Sequence, residues 1–295
     1  MKAKWFVWML LLPMHVSAQQ YVAINLPTTF GTQFHVTGIN PGGTEIVGAY
    51  YDGVKTDGVR YAGGTFTAIS YPSLGSWKYS CSAAGVNDYG TVVGACTALT
   101  DTPVSPEYGM TYYKNGGYAN YEAPGPKMTW FNAINNKGTV VGTYQDWGCD
   151  VSTCNRRGFQ FINGLMSTLE FPGAAATYAV GVNNLGEIVG YYQDSARNTH
   201  GYTWKPNNTY QEFTTISGGI LAGINDSGDL VGSYSDLSYG FLVSSGAVYA
   251  ISYPGSTYTS VAGVANRKGA KVEVVGNYTD SKGNSHGFYA VVSLP

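Results

Sequence analysis

The chain has 295 residues, a formal net charge of −2 and only 12% charged residues. A nucleic-acid or anionic-membrane binder would carry a basic patch or stripe, and the scattered Lys and Arg residues exclude one. The 40 glycines and 25 tyrosines suit short strands joined by tight turns, and no long amphipathic helical pattern follows the first twenty residues, so the chain reads as all-β.

In chain order, the first element is a signal peptide over residues 1–18. Lys2 and Lys4 precede an apolar run over residues 5–12, and Val16-Ser17-Ala18 offers small residues at a cleavage site. The run is too short for a membrane span, and no later stretch approaches the roughly 18 apolar residues that one needs. No Cys follows the cleavage site, which argues against a lipid anchor. The expectation is a secreted chain, extracellular or periplasmic, with no membrane span and one domain over residues 19–295.

Next comes an isolated strand over residues 21–26, followed by Pro27. Six copies of one motif then follow, the first with one extra residue (Gly42 or Gly43) and the last stretched: Gly-Ile/Val-Asn, two variable residues, Gly, a β-branched pair and a closing Gly. They open at Gly38, Gly85, Ala133, Gly181, Gly223 and Gly263 and close at Gly48, Gly94, Gly142, Gly190, Gly232 and Gly276. The closing glycines lie 46, 48, 48, 42 and 44 residues apart, a period that signals repeat architecture. Each unit divides into four strands, a to d. Strand a enters an Asn-x-x-Gly turn to strand b, and strand c starts at an x-Gly-aromatic step such as His200-Gly201-Tyr202. Strand d ends near a proline. Four short strands per unit match a propeller blade.

The chain stops after a strand c and begins with an unpaired strand d. The first strand therefore completes the last blade and closes a six-bladed β-propeller of four-stranded blades. Strand a then lies nearest the axis, where Gly181, Ala222, Gly223, Ala262 and Gly263 fit a crowded place. The a–b and c–d turns share one face of the ring; the longer b–c and d–a loops share the other, where function usually sits.

The Gly-Ile-Asn-x-x-Gly-x-Ile-Val-Gly-x-Tyr-x-Asp pattern followed by His-Gly-Phe resembles the bacterial extracellular HAF-repeat family. The resemblance covers essentially all of residues 19–295 and implies secretion and a repeat-built β architecture. It transfers no catalytic signature. Asp57-Gly58-Val59, Tyr108-Gly109-Met110 and Arg157-Gly158-Phe159 depart from the His-Gly-Phe form.

In an oxidising compartment four Cys should form disulfides, and three pairings are open. Cys81 and Cys96 sit equally far from the centre of the 87–90 turn, while Cys149 and Cys154 bracket a short segment of a b–c loop. The expected bridges are Cys81–Cys96 and Cys149–Cys154. A bulge at Gly90 would threaten the first by turning the two side chains to opposite faces. Zinc is the rival, but no His lies near, and no metal or cofactor is expected.

The recurring Tyr-x-Asp carboxylates (Asp52, Asp146, Asp194, Asp236 and Asp280) are either a ring of ligands or caps that shape their own loops. Repetition in nearly every blade favours caps. His200 and His286 are candidate bases only with a positioned partner, and pairs with Asp194 and Asp280 inside their own loops are the alternative. No Gly-x-Ser-x-Gly, His-Glu-x-x-His or phosphate loop is present.

The repeat breaks in the b–c loops 97–108 and 145–157 and the d–a loop 72–80. This sector brings Trp77, Lys78, Asp101, Glu107, Tyr108, Lys127, Trp130, Trp147, Asp150, Arg156 and Arg157 to one face. Aromatics mixed with charges can stack on sugar rings and bond hydroxyls or carboxylates; drift of loops stapled by disulfides is the plain alternative. The ligand-binding set expected is Trp77, Tyr108, Trp130, Trp147, Arg156 and Arg157. The first function expected is a monomeric binding module for a polysaccharide or cell-envelope partner. A secreted lyase or glycosidase with its site on the same face is the second, and a matrix protein without a small ligand the third.

Overall fold

A computed structural model describes residues 19–31, 33–72, 78–99, 106–125, 127–146, 154–234 and 239–295. Among the described residues, twenty-four strands, β1 to β24 in chain order, form six antiparallel four-stranded sheets. The first strand is β1 (Gln19–Ile24). Blade 1 is β2 (Gln33–Ile39), β3 (Glu45–Tyr51), β4 (Thr56–Ala62) and β5 (Thr65–Ile69). Blade 2 is β6 (Lys78–Val86), β7 (Val92–Leu99), β8 (Glu107–Tyr112) and β9 (Tyr118–Tyr121). Blade 3 is β10 (Lys127–Ile134), β11 (Val140–Asp146), β12 (Arg157–Ile162) and β13 (Leu165–Leu169). Blade 4 is β14 (Ala176–Val182), β15 (Ile188–Gln193), β16 (Thr199–Lys205) and β17 (Thr209–Phe213). Blade 5 is β18 (Gly219–Ile224), β19 (Leu230–Tyr234), β20 (Gly240–Ser244) and β21 (Ala247–Ile251). Blade 6 is β22 (Tyr258–Val264), β23 (Lys271–Thr279) and β24 (Ser285–Ser293), completed by β1 in the order β1-β24-β23-β22. The fold is a six-bladed β-propeller, and the ring closes where the sequence places its seam: Gln19 to Ile24 pair with Val292 to Gly287.

The repeated glycines belong to packing between blades. The inner strands β2, β6, β10, β14, β18 and β22 contact one another around the ring. A Cβ on Gly85 would lie 2.9 Å from the Ala133 Cα, and one on Gly263 would lie 3.2 Å from the Ile39 nitrogen. The strand-c glycine meets the next blade instead: a Cβ on Gly109 would lie 2.7 Å from the Phe131 ring. Large side chains fill the space between sheets, with Phe159, Tyr202, Phe241 and Phe288 fully buried.

Each inner strand carries one bulge, at Thr37, Ala84, Asn132, Val180, Ala222 and Ala262. The carbonyl two residues before the bulge residue lies over the closing glycine of strand b. A Cβ on any of the six closing glycines would stand 1.9–2.2 Å from that oxygen. The bulge also decides the disulfide. In blade 2 the turn is a three-residue loop, with Asn87 N donating to Thr91 O and Gly90 left-handed at φ +75°. That extra residue on the β7 side is cancelled by Ala84 on the β6 side, so Cys81 and Cys96 face each other and are bonded. Cys154 is buried; Cys149 lies outside the described residues, so the Cys149–Cys154 bridge stays an expectation.

The motif asparagine does more than turn the chain. Asn87 Oδ1 accepts from the Tyr89 and Thr91 amides, while its Nδ2 donates to Asn135 O of the next blade at 3.3 Å. Asn135, Asn183 and Asn225 repeat the link at 2.8, 3.1 and 3.0 Å, and Asn40 donates to Asp88. Asn266 N donates to Pro41 O at 2.8 Å, which completes the belt around all six junctions. The next position is Pro41 in blade 1 and Asp88, Asn136, Asn184, Asp226 and Asn266 in blades 2 to 6, where four of the five side chains accept from the preceding blade's amide at this position.

Candidate functional site

The axial channel is lined by the bulge residues and their glycines and has a cavity volume of about 70 Å³. That is room for a few waters and no sugar ring. A sugar-sized ligand on the axis must therefore sit at a mouth of the channel. The a–b turn end of the channel is rimmed by the asparagine belt, with Pro41, Asn183, Asn225, Asp226 and Asn266 in its lining.

The opposite mouth, on the b–c and d–a loop side, is asymmetric. One inner-strand position recurs in register opposite strand b and holds His35, Ser82, Trp130, Tyr178, Ile220 and Ser260. His35 is exposed and the others are half-buried. An accessible side chain on the innermost strand of a closed ring faces the axis. Blades 3 and 4 place large aromatics there, and blades 2 and 6 place serines.

Arg156 fills the gap between the two aromatics. It stands immediately before β12, its Cζ 4.9 Å from the Trp130 ring centroid and 5.8 Å from that of Tyr178. Cation–π attraction at two faces orients the guanidinium, and Gln145 Oε1 accepts from its Nε at 2.7 Å. The Arg156 carbonyl accepts from Thr177 N of blade 4 at 2.9 Å, which fixes the backbone as well. Among the described residues, Nη1 and Nη2 have no hydrogen-bond partner and no carboxylate forms an ion pair with this arginine. Tyr191 stacks on Tyr178 with centroids 4.3 Å apart. Burial, with the neighbouring Tyr178 adding to it, pushes the Tyr191 hydroxyl up to about 12.

Of the six expected ligand residues, Trp130 and Arg156 meet here. Arg157 points away and binds Glu170, Nε to Oε1, at 2.6 Å. Tyr108 packs on the flank of blade 2 against the core that includes Tyr79 and Cys96. Trp77 and Trp147 lie outside the described residues, as do Asp101, Cys149, Asp150 and Asp236. Gln145, Tyr178 and Tyr191 were not anticipated. Their one sequence signal is that Tyr178 and Tyr191 are bulky at repeat positions filled in blade 2 by Ser82 and Ala95.

Three of the repeated aspartates, Asp52, Asp194 and Asp280, cap their own loops. Asp194 Oδ1 accepts from the Ala196 and Asn198 amides, and Asp280 Oδ1 from those of Lys282 and Asn284. Asp52 does the same with Val54 and Lys55. The histidines join them: His200 Nε2 lies 3.3 Å from Asp194 Oδ2 and His286 Nε2 lies 3.0 Å from Asp280 Oδ2. Each ring also stacks in a three-layer pile, Phe171–Tyr192–His200 and Tyr253–Tyr278–His286. The Asn198 side-chain bond, with its backbone and His200, holds the Asp194 carboxyl down to about 2. Asn284 and His286 hold Asp280 well below the usual range. Among the described residues no group of three or more His, Cys, Asp or Glu is placed to hold a metal ion, and no helix is long and apolar enough to cross a membrane.

No family model matches the chain, and no curated protein matches it. Among solved structures, it is similar to a protein of unknown function from Dyadobacter fermentans, with TM-score 0.59 and 11% identity over 93% of this chain and 98% of that one. It is similar to a gluconolactonase from Xanthomonas campestris, with TM-score 0.53 and 10% identity over 94% and 90%. The third is the six-bladed fucose-recognising lectin of Aleuria aurantia, with TM-score 0.51 and 10% identity over 89% and 93%. At these identities the likeness is one of fold alone, and the fold they share with this chain is the propeller.

Proposed function

We propose that this propeller is a secreted interaction module that binds a polysaccharide at the loop-side mouth of its axis, with Trp130, Arg156 and Tyr178 as the contact surface. The observation that carries the reading is the guanidinium held between two aromatic faces at the one place where the six-fold ring is most unequal. A mouth walled by aromatics on blades 3 and 4 and by serines on blades 2 and 6 accepts a chain from one side. Aromatic faces stack on the C–H faces of sugars, and the serines and Tyr178 offer hydroxyl-matching groups. The fold is one on which a fungal lectin recognises fucose, which supports the reading at the level of scaffold.

The enzymatic alternative finds less support at this mouth. Glycosidase chemistry needs two carboxyls about 5–10 Å apart, and the six axial positions and Gln145 supply none. A lyase needs a base; the Tyr191 hydroxyl, pushed up to about 12, keeps its proton at neutral pH, and His35 belongs to blade 1 and not to the Trp130–Arg156–Tyr178 cluster of blades 3 and 4.

A glycan array with the purified mature chain is the direct test. Replacing Trp130 by Ala should lower affinity for the captured glycan by about 30-fold, the loss expected of a central aromatic anchor. The double replacement of Trp77 and Trp147 measures what the adjoining loops add. Unchanged binding by both Trp130→Ala and Tyr178→Ala would remove the mouth from consideration.

A further inference from the structure

Unlike Arg60, Arg157 and Arg267, Arg156 has no anion among the described residues. Arg60 closes on Glu45, Arg157 on Glu170, and Arg267 on Asp229, which it grips with Nε at 2.7 Å and Nη2 at 2.5 Å. Arg156 is half-buried, its charge partly shielded from water, and among the described residues its only polar side-chain partner is the neutral Gln145 amide. Burying part of a cation without a counter-charge is unfavourable unless a ligand supplies the charge. Among the described residues, the axial ring adds no competing acid. None of the six axial side chains is acidic, and neither are their strand-b partners Ala49, Ala95, Thr143, Tyr191, Ser233 and Asn277.

The orientation narrows the chemistry. With Nε committed to Gln145 and the plane set by Trp130 and Tyr178, the free edge is the Nη1–Nη2 side. Two parallel N–H donors in one plane match the two oxygens of a carboxylate. We infer that the sugar bound at this mouth is a uronic acid, its carboxylate held by the Nη1–Nη2 edge of Arg156 and its ring against Trp130 or Tyr178. This rests on the polysaccharide-binding reading above. The net charge of the whole chain is negative, so the attraction is local to this mouth and is not a general affinity for polyanions.

Titration calorimetry of the full mature chain with polygalacturonate, its fully methyl-esterified form, dextran sulfate and dextran tests it. Polygalacturonate should bind, with esterification weakening it about 10-fold or more, since the ester keeps the sugar and removes the charge. Arg156→Lys keeps the charge and loses the fork, and should cost a similar factor with the thermal midpoint unchanged. If that variant does not fold, the esterification comparison still decides. Equal binding of polygalacturonate and its methyl ester overturns the acidic assignment and leaves the polysaccharide reading standing. Tighter binding of dextran sulfate than of polygalacturonate overturns the carboxylate in favour of a sulfate ester. Capture of none of the four here, while the array finds a neutral glycan, overturns this inference alone; silence in both experiments removes both.

Discussion

At the scale of single residues, the repeat exposes its own misfits. The strand-c aromatic is Phe159, Phe241 or Phe288 in three blades and Tyr202 in blade 4, fully buried in each case. The Tyr202 hydroxyl has no hydrogen-bond partner among the described residues, and burial drives its acidity far out of the physiological range. A buried hydroxyl left unpaired is unfavourable by about 1–3 kcal/mol. Tyr202→Phe should therefore stabilise the fold by about 1 kcal/mol, seen as a higher urea midpoint at unchanged slope. A lower midpoint would show that the hydroxyl has a partner. Arg156 and Tyr202 are alike in one respect: each is a polar group whose surroundings do not complete it. One faces an opening where a ligand can do so, and the other is sealed.

At the scale of elements, the b–c loops show what a repeated aspartate is for. Asp194 is held down to about 2 against an ordinary 3.8, so its bonds contribute stability that is fully present above about pH 5 and lost as pH falls through about 2. The loss of melting temperature in Asp194→Asn relative to the natural chain should be full at neutral pH, mostly gone by about pH 2 and absent near pH 1. A gap of neutral-pH size at about pH 1 would mean that the charge is not its source. This capping role was legible in the sequence because Asp recurs where the loop starts. The disulfide was legible too, and the hazard foreseen at Gly90 is real. What spacing did not reveal is the second bulge at Ala84 that cancels it, because a bulge is set by the closing glycine on the partner strand and leaves no mark on its own residue. The asparagine belt was half legible. The asparagine is plain, but its bond across to the next blade depends on how sheets sit around an axis, which no local pattern encodes. The site was least legible. Trp130 and Arg156 stand 26 positions apart, and Tyr178 comes from another blade; only the ring brings the three together.

At the scale of the whole molecule, stability is shared among six near-equal junctions, and the seam is the only one that joins the two ends of the described chain. Blade 6 is tied to blade 1 by Asn277, whose Oδ1 accepts from Val36 N and whose Nδ2 donates to Val36 O, both at 2.8 Å. On the outside β1 covers β24 and buries Ile24, a contribution of about 2–3 kcal/mol from that side chain alone. Deleting residues 19–27 should lower the unfolding midpoint and broaden the transition. Restoring the same segment after Pro295 should recover both, because β1 follows β24 in space as every strand d follows its strand c. Unchanged cooperative unfolding of the deleted chain would show that the ring does not depend on its clasp.

The seam also sets the order of assembly. A ribosome adds about 5–20 residues per second, so β1 is made on the order of 15–50 s before the strand it pairs with. Blades 1 to 5 can form as the chain emerges, yet the circle stays open until β24 is complete. For that interval β1 is a free strand, and once β24 is complete its edge stays bare until a β1 reaches it. At high concentration the β1 of a second copy can reach the edge first, giving a strand-exchanged dimer held by the same six residue pairs that close the monomer.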